Sequence, residues 1–200
     1  MNEIKKSVFS GDVTAFEHAQ RSAGALAKSD LVPKEYKNNV ANCLIALDMA
    51  GNMNLSPLIV MQNLHIIHGR PSWSSKFLIS VIKSSPRFSK VEFIRTGKDT
   101  DNKGCYVQAF DNELGKVVHG THVDMKMANA EGWVNKTGSK WKTMPDLMLM
   151  YRAGAFFARI HAPELTMGIL TSEENRDIPQ VTEDAEIIED INNPGETEIT

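Results

Sequence analysis

The sequence predicts an α+β domain: a short antiparallel sheet of three to five strands, helices packed on one side of it, a long C-terminal helix and a disordered acidic tail. Three observations carry this expectation. Capped, helix-period apolar stripes fill the first part of the chain. Three short runs rich in Val, Phe, Tyr and Thr, separated by Gly, Asn and Asp turns, follow in the middle. An unbroken helical stretch then runs between Pro145 and Pro163. Helices gathered on one face of an antiparallel sheet let each element bury its apolar side.

The elements follow in order. "DVTAFEHAQRSAGALAKSD" reads as a helix with Asp12 as N-cap, because a short side-chain oxygen there accepts from an otherwise unpaired N–H. "PKEYKNNVANCLIALDMAG" reads as a second helix, opened by Pro33 and closed by Gly51, with Tyr36, Val40, Cys43, Leu44 and Leu47 on one face. "LSPLIVMQ" starts a further helical turn at Ser56-Pro57, and "LHIIHGRPSW" looks like a hairpin. Ser74 caps "SKFLISVIKSS", which Pro86 stops. "KVEFIRTG", "GCYVQAFDNE" and "GKVVHGTHVDM" are the three strands, and "PDLMLMYRAGAFFARIHAP" is the closing helix, with Thr143 or a neighbour as its cap.

The formal charge of −3 over 200 residues conceals an asymmetry. Residues 173–200 carry ten Asp/Glu against the single Arg176, whereas residues 1–172 carry 21 Lys/Arg against 15 Asp/Glu, a net +6. The chain therefore divides into a basic body, 1–172, and an acidic tail, 173–200, which lacks aromatics and contains Pro179 and Pro194. Ile187, Ile188 and Ile191 could form a short docking element within it. A basic body favours a polyanionic partner. As a hypothesis, Glu173–Thr200 competes with such a partner for the body. No apolar run suggests a signal peptide or a membrane span, so a cytoplasmic location is expected. Cys43 and Cys105 are the two cysteines, far apart, and are expected to be reduced and buried.

Catalytic patterns are weak. His65/His68 and His119/His122 share H-x-x-H spacing, but in extended segments i and i+3 point to opposite faces. Glu92, Asp99, Asp101, Asp111, Glu113 and Asp124 are candidate metal carboxylates, although most stand beside turn residues. No phosphate loop of the Walker type is present, and Ser74, Ser75, Ser84 and Ser85 have no accompanying His/Asp pattern. A catalytic acid, base or nucleophile is therefore not expected.

Cations accumulate instead. Arg70, Lys76 and Lys83 surround "GRPSWSSKFLISVIK", with Lys76 and Lys83 seven residues apart, two turns along one helix face. Arg152 and Arg159 repeat that step on the closing helix, with Phe156 and Phe157 read as turned toward the core. Between them lies "GWVNKTGSKWKTMP", residues 132–145, where Trp133 and Trp141 alternate with Lys136, Lys140 and Lys142. Indoles are costly to leave wet and ammonium groups are costly to bury, so this loop is pulled both ways. A groove for single-stranded nucleic acid, where cations neutralise phosphates and Trp73 and Trp141 are the candidates to stack bases, or a contact between protomers would relieve the conflict; partly buried anchors are the other reading of Trp73, Trp133 and Trp141.

"LSPLIVMQNLHIIHGRPSWSSKFLISVIKSS" and "KWKTMPDLMLMYRAGAFFARIHAP" together resemble the RecT-type phage recombinases, the single-strand annealing proteins related to Red beta of phage lambda. The likeness spans most of residues 50–172. It implies that Lys76, Lys83 and Arg152 face DNA, as basic residues do at the matching positions of the family. Phe156 and Phe157 depart from the pattern, where many relatives have a further basic pair, and Arg159 lies one turn later. The resemblance further implies ATP-independent pairing of single-stranded DNA into annealed duplex on a homo-oligomeric ring or helical filament. No cofactor is required, although Mg²⁺ could assist annealing, and a phage exonuclease and a host single-strand binding protein are the implied partners. Two other readings stay open: a metal-dependent nuclease using His119, His122 and nearby carboxylates, and a phage interaction module that works through its acidic tail.

Overall fold

Asp12 opens the first helix, α1 (Val13–Ala27), its carboxylate accepting from the Ala15 N–H. The computed structural model to which α1 belongs describes residues 7–9, 11–98 and 100–178. The second helix, α2 (Val40–Met53), begins later than the Pro33 start expected from the sequence. Asn38 is left-handed at φ 56°, and the Asn39 side chain accepts from the Asn42 N–H at 3.0 Å. Asparagine tolerates that backbone better than most residues and caps well, so the pair breaks the helix before Val40. Gly51 lies inside α2, which ends instead on left-handed Asn54. Tyr36 is buried ahead of the helix, its hydroxyl donating to the Leu64 carbonyl at 3.1 Å.

A 112° bend separates α2 from α3 (Pro57–Asn63). The expected hairpin follows: β1 (Leu64–Ile67) pairs antiparallel with β2 (Arg70–Trp73). Its two loop residues, His68 and Gly69, both have positive φ, 51° and 72°, which suits the right-handed twist of a tight hairpin. Ser74 caps α4 (Ser75–Ser84) by accepting from the Phe77 N–H. This helix joins two cores. Phe77 packs with Ala23, Cys43, Met61 and Trp73 of the helical half, and Leu78 and Ile82 pack with the sheet half.

The main sheet is four-stranded and antiparallel: β3 (Phe88–Thr96), β4 (Gly104–Asp111), β5 (Lys116–His119) and β6 (Val123–Asp124). The run 115–125 expected as one strand splits at Gly120, so β5 and β6 pair with opposite ends of one edge of β4. A Cβ on Gly120 would stand 3.1 Å from Cβ of Phe157, and this close approach is where the strand leaves the sheet. Cys105, Val107 and Ala109 alternate inward under the helices, whereas Tyr106, Gln108 and Phe110 lie half-exposed on the other face.

Asp124 caps α5 (Met125–Ala130), and α6 (Pro145–His161) is the longest helix among the described residues. Thr143 does not cap α6: Met144 holds the cap position without a side-chain bond, and Pro145 begins the helix. Nor does α6 close the fold. A 3₁₀ turn, Pro163–Thr166, and α7 (Ser172–Asp177) follow it. The acidic tail expected from 173 therefore starts as structure, with Thr171 and Glu174 forming a reciprocal capping box. The expected disorder beyond it, and Ile187, Ile188 and Ile191, lie outside the described residues. No single helix among the described residues is long and apolar enough to cross a membrane.

Candidate nucleic-acid interface

The conflict in residues 132–145 is resolved within the chain. Trp133 and Trp141 are both buried, their ring centroids 5.4 Å apart. The Arg152 guanidinium covers Trp133, its Cζ 3.9 Å from the ring centroid. The Ser139 hydroxyl closes the loop by donating to the Trp133 carbonyl at 2.7 Å. The lysines between the indoles stay exposed, so indole and ammonium are separated by facing opposite ways. Trp73 is likewise fully buried, its Nε1–H donating to the Thr166 carbonyl at 3.0 Å. In this conformation Trp73 and Trp141, the two indoles expected to stack bases, are core residues.

Arg152 and Arg159 do share a helix face, but Phe156 belongs to that face rather than to the core. Its ring lies 5.9 Å from Arg152 Cζ and 5.4 Å from Arg159 Cζ, while Phe157 is fully buried. Both arginines are engaged by α7. Arg152, only 6% exposed, is ion-paired with Asp177, which also pairs with Lys136, and Arg159 is paired with Glu174. A buried guanidinium requires such a partner, because an uncompensated charge there would cost several kcal/mol. Glu173 accepts from the Ser75 hydroxyl at 2.7 Å. Three of the ten residues expected to hold DNA are thus occupied by carboxylates from a helix that composition alone assigned to the tail.

The other cations are paired with no carboxylate among the described residues. Arg70 stands exposed where the hairpin turns, and Lys76, Lys140 and Lys142 are exposed. Lys83 is exposed at the far end of α4, its Nζ 5.7 Å from the Phe93 ring centroid. The three basic elements read separately from the sequence meet at one small cleft, lined by Ser75, Trp141, Met148, Tyr151, Arg152 and Glu173 among others. Lys76 follows Ser75 in the chain, and Lys140 and Lys142 flank Trp141, but none of the three lysines lines the cleft itself. Arg70 and Lys83 do not line it.

Other candidate chemistry disperses. His119 and His122 are not on opposite faces, because the chain turns between β5 and β6 and brings both rings near Tyr106, at 5.8 and 6.2 Å. His122 Nε2 is 2.6 Å from the Thr96 hydroxyl. Among the described residues, no group of three or more His, Cys, Asp or Glu side chains is arranged to hold a metal ion. Asp111 is fully buried and bound by Arg87 at 3.1 Å and by the N–H groups of Glu113 and Leu114, a structural knot at the β3–β4 end of the sheet. Burial pushes the Cys105 thiol up to about 11 and raises Cys43 as well, so neither is an activated nucleophile. A roomier cavity where the chain turns from β3 to β4 is lined by Arg95 and Lys103, but Lys103 is already paired with Asp146 at 3.0 Å.

Comparison of the chain with protein-family models, curated proteins and solved structures gives no match.

Proposed function

We propose that this chain is an ATP-independent single-stranded DNA-binding and annealing protein of phage-type homologous recombination. The observation that carries the reading is the meeting of α4, the Lys/Trp loop and α6 at one cleft, with the exposed Lys76, Lys140 and Lys142 next in the chain to residues that line it. The resemblance to RecT-type recombinases in the same segments supports it independently. Lysines attract backbone phosphate without reading sequence, as annealing of arbitrary complementary strands requires. Phosphates held on a row of protomers repel an incoming strand less and leave base edges accessible, and base pairing supplies the driving force. No acid, base or nucleotide hydrolysis enters such a mechanism.

The test is annealing of complementary oligonucleotides with and without the protein, in the absence of ATP, with electron microscopy of the product. Faster annealing on a ring or filament is expected. An unchanged annealing rate at saturating protein would refute the proposal. Labelled strands kept with Mg²⁺ or Mn²⁺ must also retain their length; shortened strands would favour a nuclease instead.

A further inference from the structure

Helix α7 contains no apolar residue: Ser172, Glu173, Glu174, Asn175, Arg176 and Asp177. Its attachment to the body is accordingly polar throughout. Asp177 holds Arg152 and Lys136, Glu174 holds Arg159, and Glu173 accepts from Ser75. Asn175 Nδ2 donates to Ser72 Oγ at 2.8 Å and to the Pro71 carbonyl at 3.3 Å, and Ser172 Oγ donates to the Trp73 carbonyl at 3.3 Å. The hydroxyl and amide groups can turn to water and the guanidinium and ammonium groups to another anion, and with no apolar residue of its own α7 leaves without exposing a hydrophobic side chain from its own sequence.

Two further features lower the cost of release. Asn175 is 3% exposed, yet its Oδ1 has no hydrogen-bond partner among the described residues, a penalty that release would remove. A six-residue helix is also far shorter than the roughly 12 residues at which an isolated helix becomes even marginal, so α7 depends on these contacts for its order. The cations it neutralises are guanidinium and ammonium groups, which pair with phosphodiester oxygens through the same charge-assisted geometry as with carboxylates.

We propose that α7 is an acidic clasp whose carboxylates occupy the positions of strand phosphates on Arg152, Lys136 and Arg159, and that single-stranded DNA displaces it. The clasp rests on the strand-binding reading above and adds its regulation. In the resting protein the exposed Lys76, Lys140 and Lys142 on the neighbouring elements remain accessible, so a strand first engages them. As α7 leaves, the strand gains three further cations. Binding thus becomes selective for a chain long enough to reach both sets, and small anions meet a largely neutralised site.

The experiment uses the full chain and an oligodeoxythymidylate. Hydrogen–deuterium exchange over residues 172–177 is expected to accelerate on saturation with the oligonucleotide; unchanged or slower exchange overturns the clasp. The double variant Glu174→Gln with Asp177→Asn retains the capping geometry, since glutamine also serves at that position. It is expected to bind at least about tenfold more tightly at moderate salt, because about three more phosphates can be neutralised, each adding about 0.7 to the logarithmic salt slope. Unaltered affinity in a folded double variant overturns the clasp alone. Failure of every form, including the unaltered protein, to bind the oligonucleotide overturns the clasp and the strand-binding reading together.

Discussion

Replacing Lys76, Lys140 and Lys142 together by glutamine tests the strand-binding reading on residues that have no ion pair among the described residues. All three are exposed, and surface substitutions of this kind change stability by about 0.5 kcal/mol or less, so the variant is expected to fold. Each cation that neutralises a phosphate of a single strand contributes about −0.7 to the slope of log Kobs against log salt concentration. Three such contacts amount to a slope of about −2, or roughly 20-fold in affinity between about 50 and about 200 mM salt. Fluorescence anisotropy of a labelled oligodeoxythymidylate, titrated across that range, measures the slope directly. The triple variant is expected to lose about 2 from the slope of the unaltered protein and to converge on its affinity at high salt. An unchanged slope would mean that these lysines touch no phosphate, and the cleft would then lose its claim to the strand.

Three further expectations concern the scaffold. Trp73→Ala removes a fully buried indole that ties the hairpin to the segment before α7, and is expected to cost about 3–5 kcal/mol in urea unfolding; a loss below about 1 kcal/mol would contradict its role as an anchor. Burial raises the pKa of Asp111, but the Leu114 N–H, the Arg87 guanidinium and the Glu113 N–H outweigh it and hold the carboxyl below its ordinary 3.8. Its stabilisation is thus present above that value and fades as pH falls through the depressed one, so Asp111→Asn is expected to flatten the acid limb of melting temperature against pH; an identical acid limb would exclude this carboxyl as its source. Gly154→Ala gains about 1 kcal/mol of helix propensity, but the new Cβ meets Ile79 Cγ1 at 2.9 Å where α4 packs on α6. Net destabilisation is expected in a thermal melt, and a raised midpoint would show that the contact yields.

The local physics of the chain was legible in its sequence, and the misses share a cause. Asp12, Ser74 and the His68-Gly69 turn were readable because a cap or a hairpin turn is decided within a few residues. The start of α2 was misplaced because Pro33 was a plausible opening, whereas the Asn38-Asn39 pair imposes a stronger local break. The helical period placed Arg152 and Arg159 on one face, but it gave Phe156 to the core beside Phe157, although a residue four positions from one arginine and three from the other must share their side.

What no local rule could supply was the partner of the basic face. The tension between tryptophan and lysine in residues 132–145 invited an external ligand, and composition assigned the nearest acidic residues to a disordered tail. Both inferences were sound segment by segment, yet each segment completes the other. Arg152 can lie buried on Trp133 only because Asp177, 25 residues further on, supplies the charge. The capping box "TSEE", Thr171 to Glu174, was the available signal that structure resumes there, since a Thr followed three residues later by Glu marks a helix start. With that start recognised, Glu174 and Asp177 of "SEENRD", three residues apart on a helix, become a face complementary to the cations of α6. A basic helix face in one segment and a capped, apolar-free acidic helix shortly after it are, read together, a prediction of an intramolecular pairing that a polyanion is equipped to contest.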